Sequence, residues 1–90
     1  MPVKVHIPTA MRQHADGQAV VEVGAASVKE ALDSLSAKHP GITARLFENG
    51  QVRRFVNIYL NDEDIRYLDN LQTAVKEGDE LSIIPAVAGG

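Results

Sequence analysis

The sequence predicts an α+β fold in which one main helix covers one face of a mixed sheet of four to five strands. Residues 3–7 alternate apolar and polar, which is typical of a half-buried strand, and 18–23, 53–60 and 80–85 are predicted as further strands. Apolar residues recur at helical spacing over one long segment, from about Val28 to Lys38. Because no second long helix is predicted, the other face of the sheet is expected to stay open.

The first two strands are predicted to form an antiparallel pair. Residues 3–7 alternate, with Val3, Val5 and Ile7 on the side expected to face the core, and Pro8 ends this strand. A polar connection follows, and Asp16-Gly17 is a turn signal of the hairpin type. The second strand is predicted at 18–23, and its short connection to the first favours antiparallel pairing.

The main helix is expected to begin at a capping box. Ser27 and Glu30 have the required spacing, so the hydroxyl would accept from an amide of the first turn and the carboxylate would reach back to the Ser27 amide. Pro40 disfavours helical geometry in the residue before it and ends the helix. The apolar side chains that share one face and should pack on the sheet are Val28, Ala31, Leu32 and Leu35.

The second half of the chain contains the strongest strand signal, at 53–60. Alternation places Val56, Ile58 and Leu60 toward the core and Phe55, Asn57 and Tyr59 on the open face. Before it, 42–47 is predicted as one helical turn and 48–50 as a turn. After it, 61–64 is predicted as a solvated acidic turn, 65–67 as a short return strand and 68–75 as a further helical turn.

The last strand is predicted at Glu80–Pro85, after a turn at Gly78-Asp79. Its alternation places Leu81 and Ile83 toward the core and Ile84 on the open face.

Composition limits the classes of function. Ninety residues predict a single domain, 1–90, and 44% hydrophobic with 23% charged residues is ordinary for a globular protein. The net charge is −3 without a basic stripe, which argues against nucleic-acid binding. No apolar run has the length of a membrane span and no secretory signal is recognisable, so a cytoplasmic protein without membrane contact is expected. The absence of cysteine excludes a side-chain thiol nucleophile.

Side-chain chemistry gives no catalytic or metal site. The spacing of the three histidines (His6, His14 and His39) matches no zinc-ligand pattern, and surface or capping roles are favoured. The acidic run 62–64 lacks the glycine and the later glutamate of a calcium loop. Ser27 has no base near it in the sequence, and Arg53-Arg54 is too small for a nucleic-acid patch. No catalytic residue and no metal ligand is therefore predicted in this chain.

The open face raises the question of a docking patch. Phe55, Tyr59 and Ile84 would lie there together. Single exposed apolar residues are normal on any surface, whereas a contiguous apolar patch marks a partner site. Docking is the favoured interpretation, because aromatic side chains are placed on a face that no predicted helix covers.

The end of the sequence, Ala86-Val87-Ala88-Gly89-Gly90, is small and uncharged. By itself this pattern fits an ordinary flexible end as well as it fits a functional tail. Since glycine has no Cβ, Gly89 and Gly90 would let a main-chain carboxylate pass through a narrow slot into the active site of a partner. Residues 86–90 are accordingly predicted to be a flexible tail.

Taken together, these features resemble the ubiquitin-like sulfur-carrier proteins of the ThiS and MoaD type. The resemblance covers nearly the whole chain: the strand plan with a capped helix, 55–59, the turn at 78–81 and the end at 85–90. The segment 54–64 together with the Ala-Val-Ala-Gly-Gly ending is most similar to the CysO type, which serves cysteine synthesis. The resemblance implies a β-grasp (ubiquitin-like) fold.

The resemblance also implies a function as a carrier, not an enzyme. Gly90 would be the modified residue: a carboxylate is a poor electrophile, and in the family an E1-like enzyme adenylates it with ATP before sulfur is added as a thiocarboxylate. Gly89, Ala88 and Val87 would thread the partner's active site. The carrier would bind no cofactor, since ATP is used by the activating enzyme. Further partners would be a sulfide-accepting synthase, expected to be a pyridoxal-phosphate-dependent cysteine synthase, and a metalloprotease that releases cysteine.

Three alternatives remain open at this stage. The sulfur could serve molybdopterin or thiazole synthesis in place of cysteine. Gly90 could instead be conjugated to lysines of target proteins, as in a ubiquitin-like modifier. A binding module that uses only the open sheet face is the least favoured hypothesis.

Overall fold

The computed structural model describes residues 2–53 and 56–85. Within these residues the chain forms a five-stranded mixed sheet, a separate two-stranded hairpin and two α-helices. Short 3₁₀ helices occupy Thr9–Ala15, Pro40–Ile42, Ile65–Tyr67 and Asn70–Gln72. The strands and α-helices are β1 Pro2–His6, β2 Val20–Gly24, α1 Val28–Lys38, α2 Thr43–Leu46, β3 Phe47–Glu48, β4 Gln51–Val52, β5 Val56–Leu60, β6 Glu63–Asp64 and β7 Glu80–Pro85.

The sheet has the strand order β2-β1-β7-β5-β6, so the last strand in sequence is the central strand in space. β7 runs parallel to β1 and antiparallel to β5. The predicted antiparallel pair of β1 and β2 is confirmed. Because β1 and β7 are parallel, their carboxyl ends lie at the same end of the molecule.

The core lies between α1 and one face of the sheet. The four helix residues predicted to pack there, Val28, Ala31, Leu32 and Leu35, are all fully buried. The inward strand residues are confirmed as well, except that Val56 and Leu60 are only partly buried at the edge of the core. Fully burying a leucine side chain contributes about 1.5–3 kcal/mol, so α1 is the main source of stability on this face.

The capping box at the start of α1 is present with one difference from the prediction. The Glu30 amide donates to Ser27 Oγ at 3.2 Å, as expected. The Glu30 carboxylate accepts from the Ala26 amide at 2.9 Å, not from the Ser27 amide. Ser27 faces Ala74 in an isolated bridge, which adds a hydrogen bond from the Val28 amide to the Thr73 carbonyl at 2.9 Å.

Two connections differ from their predictions. The segment before Asp16-Gly17 is a 3₁₀ helix with Met11 and Ala15 buried, where a polar loop was expected. The return strand after β5 is β6, not 65–67, because Asn61 and Asp62 both have positive φ (48° and 77°) and reverse the chain within two residues.

A small hairpin, β3–β4, precedes β5 and was not predicted as a pair of strands. Its turn is formed by Asn49 and Gly50, whose φ angles of 55° and 79° suit a tight hairpin turn. The hairpin extends to Val52 and Arg53 lies outside any strand, so the strand start expected at 53 was wrong; the described part of β5 is Val56–Leu60. In the part of the chain that the structure describes, no helix is long and apolar enough to cross a membrane.

Candidate functional site

The central strand β7 ends immediately before the segment predicted to be functional. Leu81 and Ile83 anchor it in the core, at 0% and 3% exposure. Its pairing with β1 stops at Ser82, whereas its pairing with β5 continues to Pro85. The last residues of β7 therefore project past β1 while β5 still supports them.

The first residues of β7 are held by a polar network. The buried Asp79 accepts from the Lys76 amide at 2.9 Å and from Asn61 Nδ2 at 3.1 Å. Asn61 Oδ1 in turn accepts from the Glu80 amide at 3.0 Å. Carboxylates that accept several N–H groups are held firmly, so the strand enters the sheet from a fixed turn. The predicted turn at Gly78-Asp79 is confirmed, with φ of 90° at Gly78.

The tail itself and one aromatic residue lie outside the described residues: Phe55, Val87, Ala88, Gly89 and Gly90. The roles assigned to them stay predictions, as does the flexible tail at 86–90. Five residues beyond Pro85 span at most about 17–18 Å when extended.

Tyr59 and Ile84 share the open face, as the alternation predicted. Tyr59 is opposite Ser82, and Ile84 is opposite Asn57 on the neighbouring row. Diagonal neighbours in an antiparallel pair are about 7–8 Å apart, within reach of one partner side chain. Ile84 is 43% exposed and Tyr59 is half-buried, so both present apolar area to solvent.

Tyr59 belongs to a row of residues that crosses the whole sheet. The register aligns Val20, His6, Ser82, Tyr59 and Asp64 on five successive strands. Val20, at the far end of the row, is 40% exposed. The open face near the end of β7 thus carries apolar side chains beside polar and ionisable ones.

The next row away from the tail is charged. Lys4 lies between Glu22 and Glu80 in the register. Glu80 Oε1 also lies 2.5 Å from His6 Nε2, with both side chains about half exposed. Exposed pairs of this kind add little to stability. The apolar patch is therefore bounded by charge on the side away from the tail.

Asp64 closes the other side of the patch through an ion pair with Arg66. Arg66 Nη2 donates to Asp64 Oδ2 at 2.7 Å and to Asn57 Oδ1 at 2.9 Å. The Asp64 side chain is 6% exposed and that of Arg66 is 63% exposed. Hydrogen bonds from the Arg66 side chain, and next from its amide, lower the pKa of Asp64 below its usual value. Asp64 is consequently not solvated, so the prediction of a solvated turn at 61–64 was wrong for this residue, whereas Asn61 and Asp62 do form an exposed turn.

A cleft of about 340 Å³ borders the patch at the β5 edge. Asn57 and Arg66 line it from the open face, and Val52 and Leu71 line it from the hairpin and the 3₁₀ turn at Asn70–Gln72. Its position beside Ile84's cross-strand partner Asn57 makes it continuous with the patch.

Sequence reasoning missed Val20, Arg66 and the exposed Tyr67 as surface features. Val20 was within reach of the alternation argument, since Val21 and Val23 point inward and their neighbour must point out. Arg66 and Tyr67 were assigned to a strand, whereas they lie in a 3₁₀ helix, so their surface positions could not be predicted from the sequence. Tyr67 is 82% exposed. Among residues 2–53 and 56–85, no three His, Asp or Glu side chains gather in a way that would hold a metal ion.

Comparison with known proteins agrees with this architecture. The model of the ThiS family matches residues 5–90. Sulfur carrier protein CysO of Mycobacterium tuberculosis is 44% identical over the full length of both chains. Small archaeal modifier protein 3 of Haloferax volcanii is 42% identical over 72% of this chain and 71% of its own.

A solved structure supports the same assignment. A chain in the crystal structure of the Amycolatopsis orientalis BexX/CysO complex has a TM-score of 0.91 and 48% identity, covering 98% of this chain and 99% of that one. The β-grasp fold implied by the resemblance is thereby confirmed. The relatives are named as small sulfur carriers and modifiers, not as catalysts. The chain belongs to the ThiS family of ubiquitin-like β-grasp sulfur carriers, and within it is similar over its whole length to proteins of the CysO type.

Proposed function

We propose that this protein carries sulfide as a C-terminal thiocarboxylate on Gly90 and donates it to cysteine biosynthesis. The observation that carries the proposal is the similarity to CysO, which spans both chains completely. The family match also runs through Gly90. The anchored end of β7 fits this role, since it would fix the point from which a short flexible tail starts.

The chemistry requires two steps at the Gly90 carboxylate. A carboxylate oxygen attacks the α-phosphorus of ATP on an E1-like partner, which releases pyrophosphate and leaves an acyl-adenylate. A sulfide-level donor then forms the C–S bond while the C–O bond to AMP breaks. The product is an anionic thiocarboxylate, a soft nucleophile comparable to a thiolate. ATP binds to the partner, and no cofactor is assigned to the carrier.

Delivery of the sulfur calls for two further partners. A sulfide-accepting synthase, in our proposal a pyridoxal-phosphate-dependent cysteine synthase, would receive the tail, and a metalloprotease would release cysteine. Gly89, Ala88 and Val87 would lie in the slot of the partner enzyme. The open-face residues Tyr59 and Ile84, with Phe55, would dock against the partner's surface, because apolar residues bounded by charge favour protein contact.

Mass spectrometry of the intact chain tests the proposal directly. After co-expression with the E1-like enzyme of its own organism, the mass should increase by the difference between sulfur and oxygen, located at Gly90. A chain that lacks Gly90 is the control and should stay unmodified. An unmodified carboxylate in the presence of a partner that releases pyrophosphate would contradict the carrier role.

A second candidate, conjugation to proteins, is favoured by the similarity to small archaeal modifier protein 3. The same acyl-adenylate would then be attacked by a lysine amine and form an isopeptide bond. Adducts that survive boiling with a thiol reductant, and that disappear in the chain without Gly90, would support conjugation. If no such adducts form and the thiocarboxylate mass is observed, only the carrier function is supported.

The slot argument has its own test. Gly89→Ala adds a Cβ where the partner would have space for none, so the rate of pyrophosphate release should fall roughly 10–100-fold, the range that follows from a small misplacement of the reacting group. The melting temperature should not change. Ala88→Gly is the control, because it alters the tail without adding volume. Equal rates for Gly89→Ala and the parent chain would refute threading through a narrow slot.

A further inference from the structure

Three arginines surround the end of the molecule where β7 ends, and we call Arg12, Arg45 and Arg53 the basic arc. Each is held by a hydrogen bond. Arg12 Nε donates to the Ile7 carbonyl at 3.0 Å, and Arg45 Nε donates to His14 Nε2 at 3.2 Å. Arg53 Nη1 donates to the Ala44 carbonyl at 3.3 Å. Each guanidinium group is therefore tied by one nitrogen to a residue at this end of the molecule.

The arc reaches both flanks of β7. On one flank, Arg12 bonds to Ile7, the residue that follows β1, whose last residue His6 is paired with Ser82. On the other flank, the Arg53 carbonyl accepts from the amide of Val56, which is paired with Pro85.

Between the two flanks the arc is continuous. His14 lies on the same 3₁₀ helix as Arg12 and bonds to Arg45, and Arg45 follows Ala44, the residue that Arg53 contacts. The arc thus passes from the β1 side to the β5 side through Thr9–Ala15 and α2. Any chain that leaves β7 beyond Pro85 begins beside this arc.

The arc carries positive charge that the described part of the chain does not neutralise by ion pairing. Within residues 2–53 and 56–85, none of its arginines forms a salt bridge, whereas Lys29 pairs with Asp33 at 2.8 Å and Arg66 with Asp64 at 2.7 Å. The two carboxylates nearest in sequence to these arginines are those of Asp16 and Glu48. Asp16 lies 3.8 Å from His39 Nδ1, and Glu48 is exposed on β3.

Acidic residues concentrate at the opposite end of the molecule. The turn after β5 and the turn before β7 lie there, because β5 ends and β7 begins at that end. These two turns and the adjoining strand ends contain five acidic residues against two basic ones, Lys4 and Lys76; the acidic residues are Asp62, Glu63, Glu77, Asp79 and Glu80. A chain of net charge −3 is therefore polarised, with its basic end at the base of the tail.

We propose that the basic arc binds a carboxylate-lined rim around the slot that receives the tail in the partner enzyme. This inference rests on the proposed function, which requires such a slot. To admit the tail, the mouth of the slot must approach the end of β7 and so must face the arc. Arginine is suited to this contact, since its planar fork binds carboxylates through two parallel hydrogen bonds.

The arc acts on encounter and orientation, not on the reaction. If the tail were fully extended in the slot of a partner, its five residues would carry Gly90 up to about 17–18 Å from Pro85, beyond the reach of these side chains. Charged rims raise association rates, and their effect falls as salt screens the charges. A loss of the arc should consequently raise KM at low salt and leave kcat unchanged.

The test compares two triple variants with the same change of charge. Arg12→Gln/Arg45→Gln/Arg53→Gln removes the arc, and Lys4→Gln/Lys29→Gln/Lys76→Gln removes as much positive charge elsewhere. Pyrophosphate exchange is measured with the E1-like enzyme over a range of salt. The arc variant should show a KM about 10-fold higher at low salt, the lower end of electrostatic steering effects. The difference should vanish near about 1 M salt, where the Debye length is about 3 Å.

A second readout does not depend on the enzyme. Immobilised poly-L-glutamate, used as a model of a carboxylate rim, should retain the parent chain and the lysine control at low salt but not the arc variant. A third variant, Arg12→Lys/Arg45→Lys/Arg53→Lys, keeps the charge without the fork and should recover retention. This variant also separates loss of charge from faulty folding.

The outcomes distinguish the two proposals. Equal KM values for the two glutamine variants, or a loss of kcat that persists in high salt, would overturn the role of the arc. If the parent chain supports no exchange, the proposed function fails, and the poly-L-glutamate result still decides the arc. Unchanged retention of the arc variant on that matrix would refute carboxylate binding whatever the enzyme does.

Discussion

The two faces of the sheet differ in what they contribute. On the face covered by α1, the side chains of Val3, Val5, Leu81 and Ile83 are at most 3% exposed and pack into one core. On the open face, Val20 and Ile84 are 40% and 43% exposed, although they sit on the same strands as buried neighbours. One sheet therefore packs into the core on one side and leaves apolar side chains exposed on the other.

This difference has a physical origin in the period of two along each strand. Successive side chains point to opposite faces, so each strand must serve both surfaces at once. β7 is the clearest case, since Ile83 lies in the core and Ile84 beside it faces solvent. A single exposed apolar residue is normal on any surface, so it is the clustering of Tyr59 and Ile84 on this face that supports the proposed partner contact.

The largest expected effect lies on the covered face. Leu35→Ala should reduce the free energy of unfolding by about 2–5 kcal/mol, because Leu35 is fully buried and its truncation leaves a cavity between α1 and the sheet. Ile84→Thr on the open face is the comparison, and it keeps a β-branched side chain on the strand. Urea titration should show a change of about 0.5 kcal/mol or less for that variant. Similar losses for the two variants would remove the distinction between the faces.

Tyr59→Ala on the open face should affect partner binding more than stability, the reverse of Leu35→Ala. Binding to the activating enzyme should weaken about 10-fold, since aromatic anchors cost more than 1 kcal/mol when truncated. The half-buried ring rests on the sheet, so the unfolding free energy should fall by less than the binding free energy. Isothermal titration and urea titration of the same variant provide the two numbers. A loss of several kcal/mol in stability with normal binding would show that Tyr59 belongs to the core.

A smaller effect on stability is expected from the hydroxyl of Ser27, the N-cap of α1. Ser27→Ala removes the cap of the helix that covers the core and should cost about 1 kcal/mol. Ser36→Ala is the matched control, because Ser36 Oγ is buried without a hydrogen-bond partner among the described residues. Removing an unsatisfied hydroxyl should be neutral or slightly stabilising. Thermal melts that rank the two variants in the reverse order would contradict this account of the cap.

The parts of the fold that the sequence predicted well are those with long, regular patterns. α1 has the predicted bounds, Val28–Lys38, because its cap, its apolar spacing and Pro40 all agree. β7 was predicted correctly because four alternating residues follow a clear turn. The alternation of side chains along β5 and β7 also predicted correctly that Tyr59 and Ile84 lie on the same face of the sheet.

The parts that were missed are short or depend on tertiary contacts. β3, β4 and β6 have two residues each, which is too few to show any periodicity. The 3₁₀ helix Thr9–Ala15 is polar in sequence, and only its packing against the core buries Met11 and Ala15. The basic arc could not be predicted at all, since its members come from three separate connections that the fold brings together.

The smallest effect that separates the faces is the pH dependence of the Asp64–Arg66 pair on the open face. In the folded chain the pKa of Asp64 is lowered, first by hydrogen bonds from the Arg66 side chain and then by the Arg66 amide. The unfolded chain therefore takes up a proton at a higher pH than the folded chain does. The stabilisation is fully present above about pH 4 and is lost as the pH falls through the lower, folded pKa.

Asp64→Asn removes this titration while keeping the size of the side chain. The stability difference between the parent and the variant should be constant near neutral pH and shrink below about pH 4. It should be modest, because the 63% exposure of Arg66 leaves the pair largely screened by solvent. Arg66→Gln is the control and should flatten the same acid limb. Urea titration measures the difference in unfolding free energy between the parent and Asp64→Asn at each pH. If this difference stays constant down to pH 2, ionisation of Asp64 does not stabilise the fold, and the Asp64–Arg66 pair contributes no electrostatic stability although its carboxylate is buried.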